Sequence, residues 1–288
     1  MADERASKKH YATIFLSDIH LGTRGCQADK LIDFLKQHSC DQLFLVGDIV
    51  DGWRMQSGVY WPQSHSNVIR RFLTYAKRDT EVIYVTGNHD EFLRRYSHVE
   101  LGNLKIVDEY VHTTQDGKRL LVIHGDQFDV ITRYHKWLAF LGDMGYNILL
   151  GANTYVNAIR RRLGYGYWSL SAWIKHRVKK AVNFISEFET AVAHQCNRLE
   201  YDGAICGHIH HAEISSLQGV TYMNCGDWVE SCTALVEDEQ GHFQILRWDS
   251  VATTDGEEDE DFEGATVVPL TPTTIAAELA ATHSRKTA

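Results

Sequence analysis

Five short segments of the chain carry the same kind of chemistry: SDIHLG from Ser17, GDIVDG from Gly47, TGNHDE from Thr86, HGDQFD from His124 and GHIHH from Gly207. Together they offer Asp18, His20, Asp48, Asn88, His124, His208 and His210. Carboxylate and amide oxygens mixed with imidazole nitrogens suit divalent first-row metals such as Mn, Fe, Co, Ni or Zn. A site for Ca or Mg alone has no use for four histidines. Seven ligands are too many for one ion, and two ions sharing a bridging carboxylate accommodate them. A pair about 3.5 to 4 Å apart is the arrangement that clamps the attacking and leaving oxygens of phosphoryl transfer. Without metals, burying so many polar groups would be costly. In DIH and HIH the candidates are two residues apart, so an extended strand end puts both side chains on one face. The glycines of GD, GNHD, HGD and GH permit tight turns and close backbone approach.

Each cluster follows a short apolar run. Tyr11 to Leu16, Gln42 to Val46, Val82 to Val85, Leu120 to Ile123 and Tyr201 to Cys206 are too short for helices and are predicted as buried strands. Ala28 to His38 and Ser66 to Arg78 have the three-and-four spacing of amphipathic helices. The order strand, helix, strand, helix, strand predicts an α/β fold with parallel strands and crossover helices, in which ligands gather at the carboxyl ends of strands. Five strand ends can then converge on one site.

Residues 130 to 200 break this rhythm and read as a helical insertion. Leu170, Trp173, Ile174, Val178, Ala181, Val182, Ile185, Phe188 and Val192 form an apolar stripe at helical spacing, with Lys175, His176, Lys179 and Lys180 on another face. Arg160 to Arg162 add cationic surface, and Tyr165, Tyr167 and Trp168 add aromatic surface. After GHIHH, two hairpins turning at Gly219 and Gly241 predict a second, partly antiparallel sheet. Residues 1 to 250 are thus expected to form one catalytic domain carrying the insertion, and residues 251 to 288 a disordered acidic tail.

The 288 residues are 44% hydrophobic and 23% charged, which suits a globular protein with a substantial core and excludes collagen-like and disulfide-framework classes. The net charge of -9 is unevenly spread: residues 130 to 195 carry +6 and residues 251 to 288 carry -6. That pattern suggests a middle segment that meets an anion, and the acidic total argues against a general nucleic-acid binder. Six scattered cysteines without a CxxC read as reduced thiols, with Cys206 and Cys225 as core residues. With no signal-like or membrane-spanning apolar stretch, a cytoplasmic location is expected.

In this order and across residues 18 to 210, DxH, GDxxD, GNHD, HGD and GHxH resemble the motif set of the calcineurin-like metallophosphoesterase superfamily. The resemblance implies a four-layer α/β/β/α sandwich with a dinuclear centre. Asp18, His20 and His210 would hold one metal, Asn88, His124 and His208 the other, and Asp48 would bridge them. The implied metal is Mn2+, with Fe or Zn also fitting the donor set. His89 would be the catalytic histidine beside the phosphate, oriented by Asp90, and a metal-bound hydroxide the nucleophile. His211, Asp51 and Asp126 read as supporting or turn-forming residues.

A narrower resemblance rests on DIHLG, the basic helical insertion after HGD, and GDW at Gly226 to Trp228. These are similar to the UDP-2,3-diacylglucosamine diphosphatase branch, peripheral inner-membrane enzymes of lipid A synthesis. That implies a nucleotide-linked lipid substrate, hydrolysis of its pyrophosphate with release of UMP, and peripheral contact with an anionic membrane through the insertion. Two alternatives stay open: a phosphoesterase acting on a soluble nucleotide or other phosphate ester, and a non-catalytic scaffold of the same fold.

Overall fold

The structure, a computed structural model, describes residues 8–128 and 170–248, with side chains of 170–184 outside that description. Twelve strands and four helices lie within it: β1 (Lys9–Leu16), α1 (Ala28–Gln37), β2 (His38–Val46), α2 (Gly52–Gln56), α3 (Gln63–Lys77), β3 (Glu81–Val85), β4 (Val99–Leu101), β5 (Leu104–Val107), β6 (Glu109–Thr113), β7 (Arg119–Ile123), α4 (Leu170–Leu199), β8 (Gly203–Cys206), β9 (Glu213–Leu217), β10 (Val220–Asn224), β11 (Thr233–Glu237) and β12 (Phe243–Arg247). They build a seven-stranded sheet in the order β12-β11-β1-β2-β3-β5-β4 and a five-stranded sheet in the order β6-β7-β8-β10-β9. Parallel pairing holds the centres of both, β1-β2-β3-β5 in one and β7-β8-β10 in the other, with antiparallel strands at the margins.

The alternation of side chains along each strand accounts for the layering. Phe15, Phe44, Val46, Ile83 and Val85 of the large sheet meet Leu120, Val122, Ile205 and Met223 of the small one, so the two sheets pack face to face. Neighbouring residues point the other way: Ile14, Leu16, Leu43, Leu45 and Val82 pack on Leu31, Phe34, Val68 and Phe72 of α1 and α3. On the far side Leu121, Ile123, Ala204 and Tyr222 pack on Phe188, Val192 and Cys196 of α4. Central strands buried on both faces explain why their sequences are continuous apolar runs. The result is the expected α/β/β/α arrangement. A buried polar contact ties the sheets: Glu237 of β11 lies 2.7 Å from His112 Nε2 of β6 and also accepts from the Thr13 hydroxyl and the Gln115 N–H.

Helix α1 forms where Leu31, Phe34 and Leu35 recur at helical spacing, with Asp29 in its first turn and Lys36 in its last to complement the helix dipole. It stops at His38, whose backbone is already extended and whose Nδ1 lies 2.8 Å from the Phe34 carbonyl.

One expectation about the sheets needs correction. The second sheet already starts at β6, which reverses the chain and pairs antiparallel with β7, the strand ending at HGD. Of the two C-terminal hairpins only β9–β10 joins the smaller sheet, whereas β11–β12 returns to β1. The long helix begins at Leu170 as its stripe suggested. Arg160 to Arg162, Tyr165, Tyr167, Trp168 and the 251–288 tail fall outside the described residues. All six cysteines are free thiols, and no described helix is long and apolar enough to cross a membrane.

Candidate metal centre

Face-to-face packing brings the carboxyl ends of β1, β2 and β3 against those of β7 and β8, and the five clusters meet there. The side chains do not converge through an extended strand end, as the two-residue spacing suggested. Strand β1 stops at Leu16 and β8 at Cys206, and beyond them the chain turns through left-handed residues. Asp18, His20, Asp48, His208 and His210 all have φ between 51 and 72°. Non-glycine residues held there cost about 1–3 kcal/mol each, and such strain concentrates at functional sites.

Asp48 is the hub. Its Oδ2 lies 3.3 Å from His124 Nε2, 3.8 Å from His89 Nε2 and 3.9 Å from His20 Nε2, while Oδ1 accepts from the His89 N–H at 2.8 Å. Asp18 sits beside it, with Oδ1 3.2 Å from His210 Nε2 and 3.9 Å from His20 Nε2, and Oδ2 accepting from the His208 N–H. Three groups have ligand atoms close enough to hold an ion: Asp18 with His20 and His210, Asp48 with His124 and His208, and His20 with Asp51 and His89. Backbone has to come very near these carboxylates. A Cβ at Gly87 would collide with Asp48 Oδ1, and one at Gly47, which has φ +73°, with the His124 ring.

The outer nitrogens are held too, which fixes which ring nitrogen faces inward. His124 Nδ1 lies 3.1 Å from the Val46 carbonyl, and His20 Nδ1 3.2 Å from Asp51 Oδ2. His210 Nδ1 is 3.8 Å from Asp227 Oδ2, the acid of GDW, whose Oδ1 accepts from the N–H groups of Val229, Glu230 and Ser231.

Electrostatics follow from this pairing. Burial raises the Asp18 carboxyl, but His210 outweighs it and holds the group at about 2. Burial acts likewise on Asp48, and His124, His20 and His89 bring it well below the ordinary carboxylate range. Burial depresses the imidazoles of His124 and His210, yet Asp48 and Asp18 respectively lift them to about 10 and about 9. In the metal-free chain these protons neutralise the carboxylates, a role that cations can take over.

The donor set fits divalent cations. His20 Nε2 and both amide atoms of Asn88 are buried without a hydrogen-bond partner, a desolvation cost of about 1–3 kcal/mol per group that bound cations would relieve. Mixed oxygen and nitrogen donors are the chemistry of first-row metals.

The calcineurin-like phosphoesterase model matches residues 12–212, from inside β1 to just beyond GHIHH. The chain belongs to this family. Its members are phosphoesterases, in agreement with the metal-dependent phosphoester hydrolase expected from the motifs. A UDP-2,3-diacylglucosamine hydrolase of Aliivibrio fischeri is 27% identical over 118 residues, 39% of this chain and 47% of that protein, so the match spans about half of that relative's length. One of the same name from Psychromonas ingrahamii is 20% identical over 224 residues, 75% of this chain and 89% of its own. Among solved structures, the E. coli phosphoesterase Yfce has TM-score 0.40 at 14% identity, covering 82% of this chain and 99% of its own. A likeness of that size carries no argument about the site.

All seven ligand-type side chains and His89 come from the loops that converge at this candidate centre. The partner of His89 differs from expectation. Asp90 turns inward, where its carboxylate accepts from the N–H groups of Ile49 and Gly87 and from the Tyr84 hydroxyl, closing the GNHD loop. Asp51 takes the orienting place: its Oδ1 is 3.0 Å from His89 Nδ1. Those imidazoles hold the Asp51 carboxylate well below its usual range against the opposing effect of burial. Sequence reasoning also missed Trp53, whose ring lies 4.4 Å from that of His89. His211 faces Glu213 at 3.4 Å, and Asp126 pairs with Arg94 at 2.7 Å.

Proposed function

We propose that this chain hydrolyses the pyrophosphate bond of UDP-2,3-diacylglucosamine or a closely related nucleotide-linked lipid at a two-cation centre. The observation that carries the centre is the cluster around Asp48, where strained backbone directs buried ligand atoms toward one another and leaves several unpaired. The substrate is supported by the names of the two relatives and by the motif set, DIHLG and GDW included. Asp18, His20 and His210 would hold one cation and Asn88, His124 and His208 the other, with Asp48 shared between them. Bound there, two divalent ions such as Mn2+, Fe or Zn lower the pKa of water and polarise phosphoryl oxygens.

The chain's own groups do the rest. Asp51 holds His89 by Nδ1, which leaves Nε2 facing Asp48 and the site. A protonated His89 stabilises charge on the phosphoryl oxygens or gives its proton to the leaving oxygen. Water adds across the bond to give UMP and the sugar 1-phosphate. The cationic and apolar residues of 130–184 meet the acyl chains and an anionic membrane surface, while from Phe188 onward the helix packs on the smaller sheet.

The test is release of UMP from UDP-2,3-diacylglucosamine by purified chain with Mn2+ in detergent, with Asn88→Ala as control. Release by the wild type alone supports the reading. Metal-dependent cleavage of an aryl phosphodiester without UMP release keeps the centre and replaces the lipid by a soluble phosphate ester.

A further inference from the structure

Beside the metal centre the loop after β2 and the GNHD loop are fastened together, and one side chain at that junction belongs neither to the core nor to the ligand set. The Gly52 N–H donates to the His89 carbonyl at 2.9 Å. One residue on, the Trp53 ring lies against the His89 imidazole, with centroids 4.4 Å apart and planes inclined by 36°. Its Nε1–H donates to Glu91 Oε1 at 3.2 Å, so the indole is also held at its edge from the GNHD side. Trp53 sits on α2, which is capped by Asp51 Oδ1 through the Arg54 N–H and buries none of its residues. With the indole 39% exposed, packing into a core does not account for its place.

His89 needs more than one contact to be aimed. Asp51 Oδ1, 3.0 Å from Nδ1, fixes where that atom stands, but rotation about the bond that joins the ring to Cβ is broad. The side chain is 26% exposed, so burial does not stop that motion either. A flat indole at 4.4 Å restricts it, and the His20 ring meets the imidazole edge to face at 4.7 Å. The direction of Nε2, which faces Asp48 Oδ2 at 3.8 Å, depends on these walls as well as on Asp51.

We infer that Trp53 is a positioning residue for phosphoester hydrolysis: through its ring contact it keeps His89 Nε2 directed at the phosphoryl group, and Glu91 keeps the indole in place. The inference rests on His89 acting beside the phosphate, as in the proposed reaction, and is independent of the lipid. A misplacement of about 1 Å at such a group can cost about 100-fold in rate. An indole that instead stacked on a part of the substrate would act on KM, and its effect would persist without His89.

The test is a double-mutant cycle on the Mn-loaded full-length chain with diphenyl phosphate, which carries neither uridine nor an acyl chain and whose phenolate leaves poorly enough to register either role of His89. His89→Ala is expected to lower kcat at least about 100-fold. Trp53→Ala should lower kcat about 10- to 100-fold with KM nearly unchanged, and Trp53→Phe should recover most of that loss. Added to His89→Ala, Trp53→Ala should cost less than about twofold, because its effect passes through the missing imidazole. If turnover is too slow to follow, the same chains are compared by their affinity for orthovanadate, a mimic of the transferring phosphoryl group, with the same coupling expected. An equal fold-loss from Trp53→Ala with and without His89, a change confined to KM, or a Trp53→Phe chain no better than Trp53→Ala overturns the inference and leaves the role of His89 standing. A His89→Ala chain as active as wild type overturns that role and the inference with it, whatever UDP-2,3-diacylglucosamine gives.

Discussion

Replacing Asp51 by Asn separates the account given by the structure from the one that adjacency in sequence suggests. Asp51 uses both oxygens: Oδ2 faces His20 Nδ1 at 3.2 Å, while Oδ1 faces His89 Nδ1 at 3.0 Å and accepts the Arg54 N–H at 2.8 Å. An asparagine has one acceptor oxygen. If it stays at Oδ1, keeping the cap on α2 and the His89 contact, the amide NH2 confronts His20 Nδ1. His20 must then give up either that contact or the lone pair on Nε2. Removing such a supporting partner typically lowers metal affinity or activity 10- to 100-fold, a barrier or binding change of about 1.4 to 2.7 kcal/mol. The expected outcome is kcat/KM down by about that factor, weaker metal binding by titration calorimetry, and a melting temperature within a few degrees of wild type because the helix cap survives. Asp90→Asn should behave differently, losing stability first, since its carboxylate closes the GNHD loop through three donors. An Asp51→Asn chain with kcat/KM and metal affinity within twofold of wild type would refute the reasoning.

Other consequences are as direct. Gly87→Ala places a Cβ against Asp48, and the expected loss is more than about 100-fold in activity together with reduced metal content by elemental analysis. Glu237→Gln leaves His112 and two further donors inadequately paired between the sheets and should cost about 1–3 kcal/mol in urea unfolding; a change below about 0.5 kcal/mol would mean the contact holds nothing. In the metal-free chain His124 and His210 have folded pKa values of about 10 and about 9, above the ordinary imidazole value. Their contribution is complete below pH about 6.5 and is lost as pH rises through 9 to 10. Asp18, held at about 2, contributes above pH about 4 and loses this as pH falls through 2. Melting of the metal-free chain should thus worsen from neutral to alkaline pH, and metal binding should release protons, seen by calorimetry in buffers of different ionisation heat.

Much of this was legible in the residues. The strands that carry the ligands are apolar runs because both their faces are covered, and their loops announce themselves by chemistry. Strands β4, β5 and β6 escaped because they are short and half-exposed, and their mixed pattern resembles loop. Which sheet a strand joins was not legible, since β7 and β11 each take one partner distant in the chain, β8 and β1 respectively. The same limit explains Asp51 and Asp90. Asp90 is next to His89 in sequence, but the Ile49 and Gly87 N–H groups and the Tyr84 hydroxyl hold its side chain inward, while Asp51 arrives from the loop after β2. The left-handed backbone at DIH and HIH is likewise invisible to a period-two argument that assumes extended chain.

The measurement that bears most directly on the central claim is metal stoichiometry of the purified, Mn-loaded chain by elemental analysis, for wild type and Asp48→Ala side by side. The account predicts about two ions per chain in the wild type, and loss of both with nearly all hydrolytic activity when the shared carboxylate is removed. A single ion in the wild type, or an Asp48→Ala chain that keeps both ions and its activity, would contradict it.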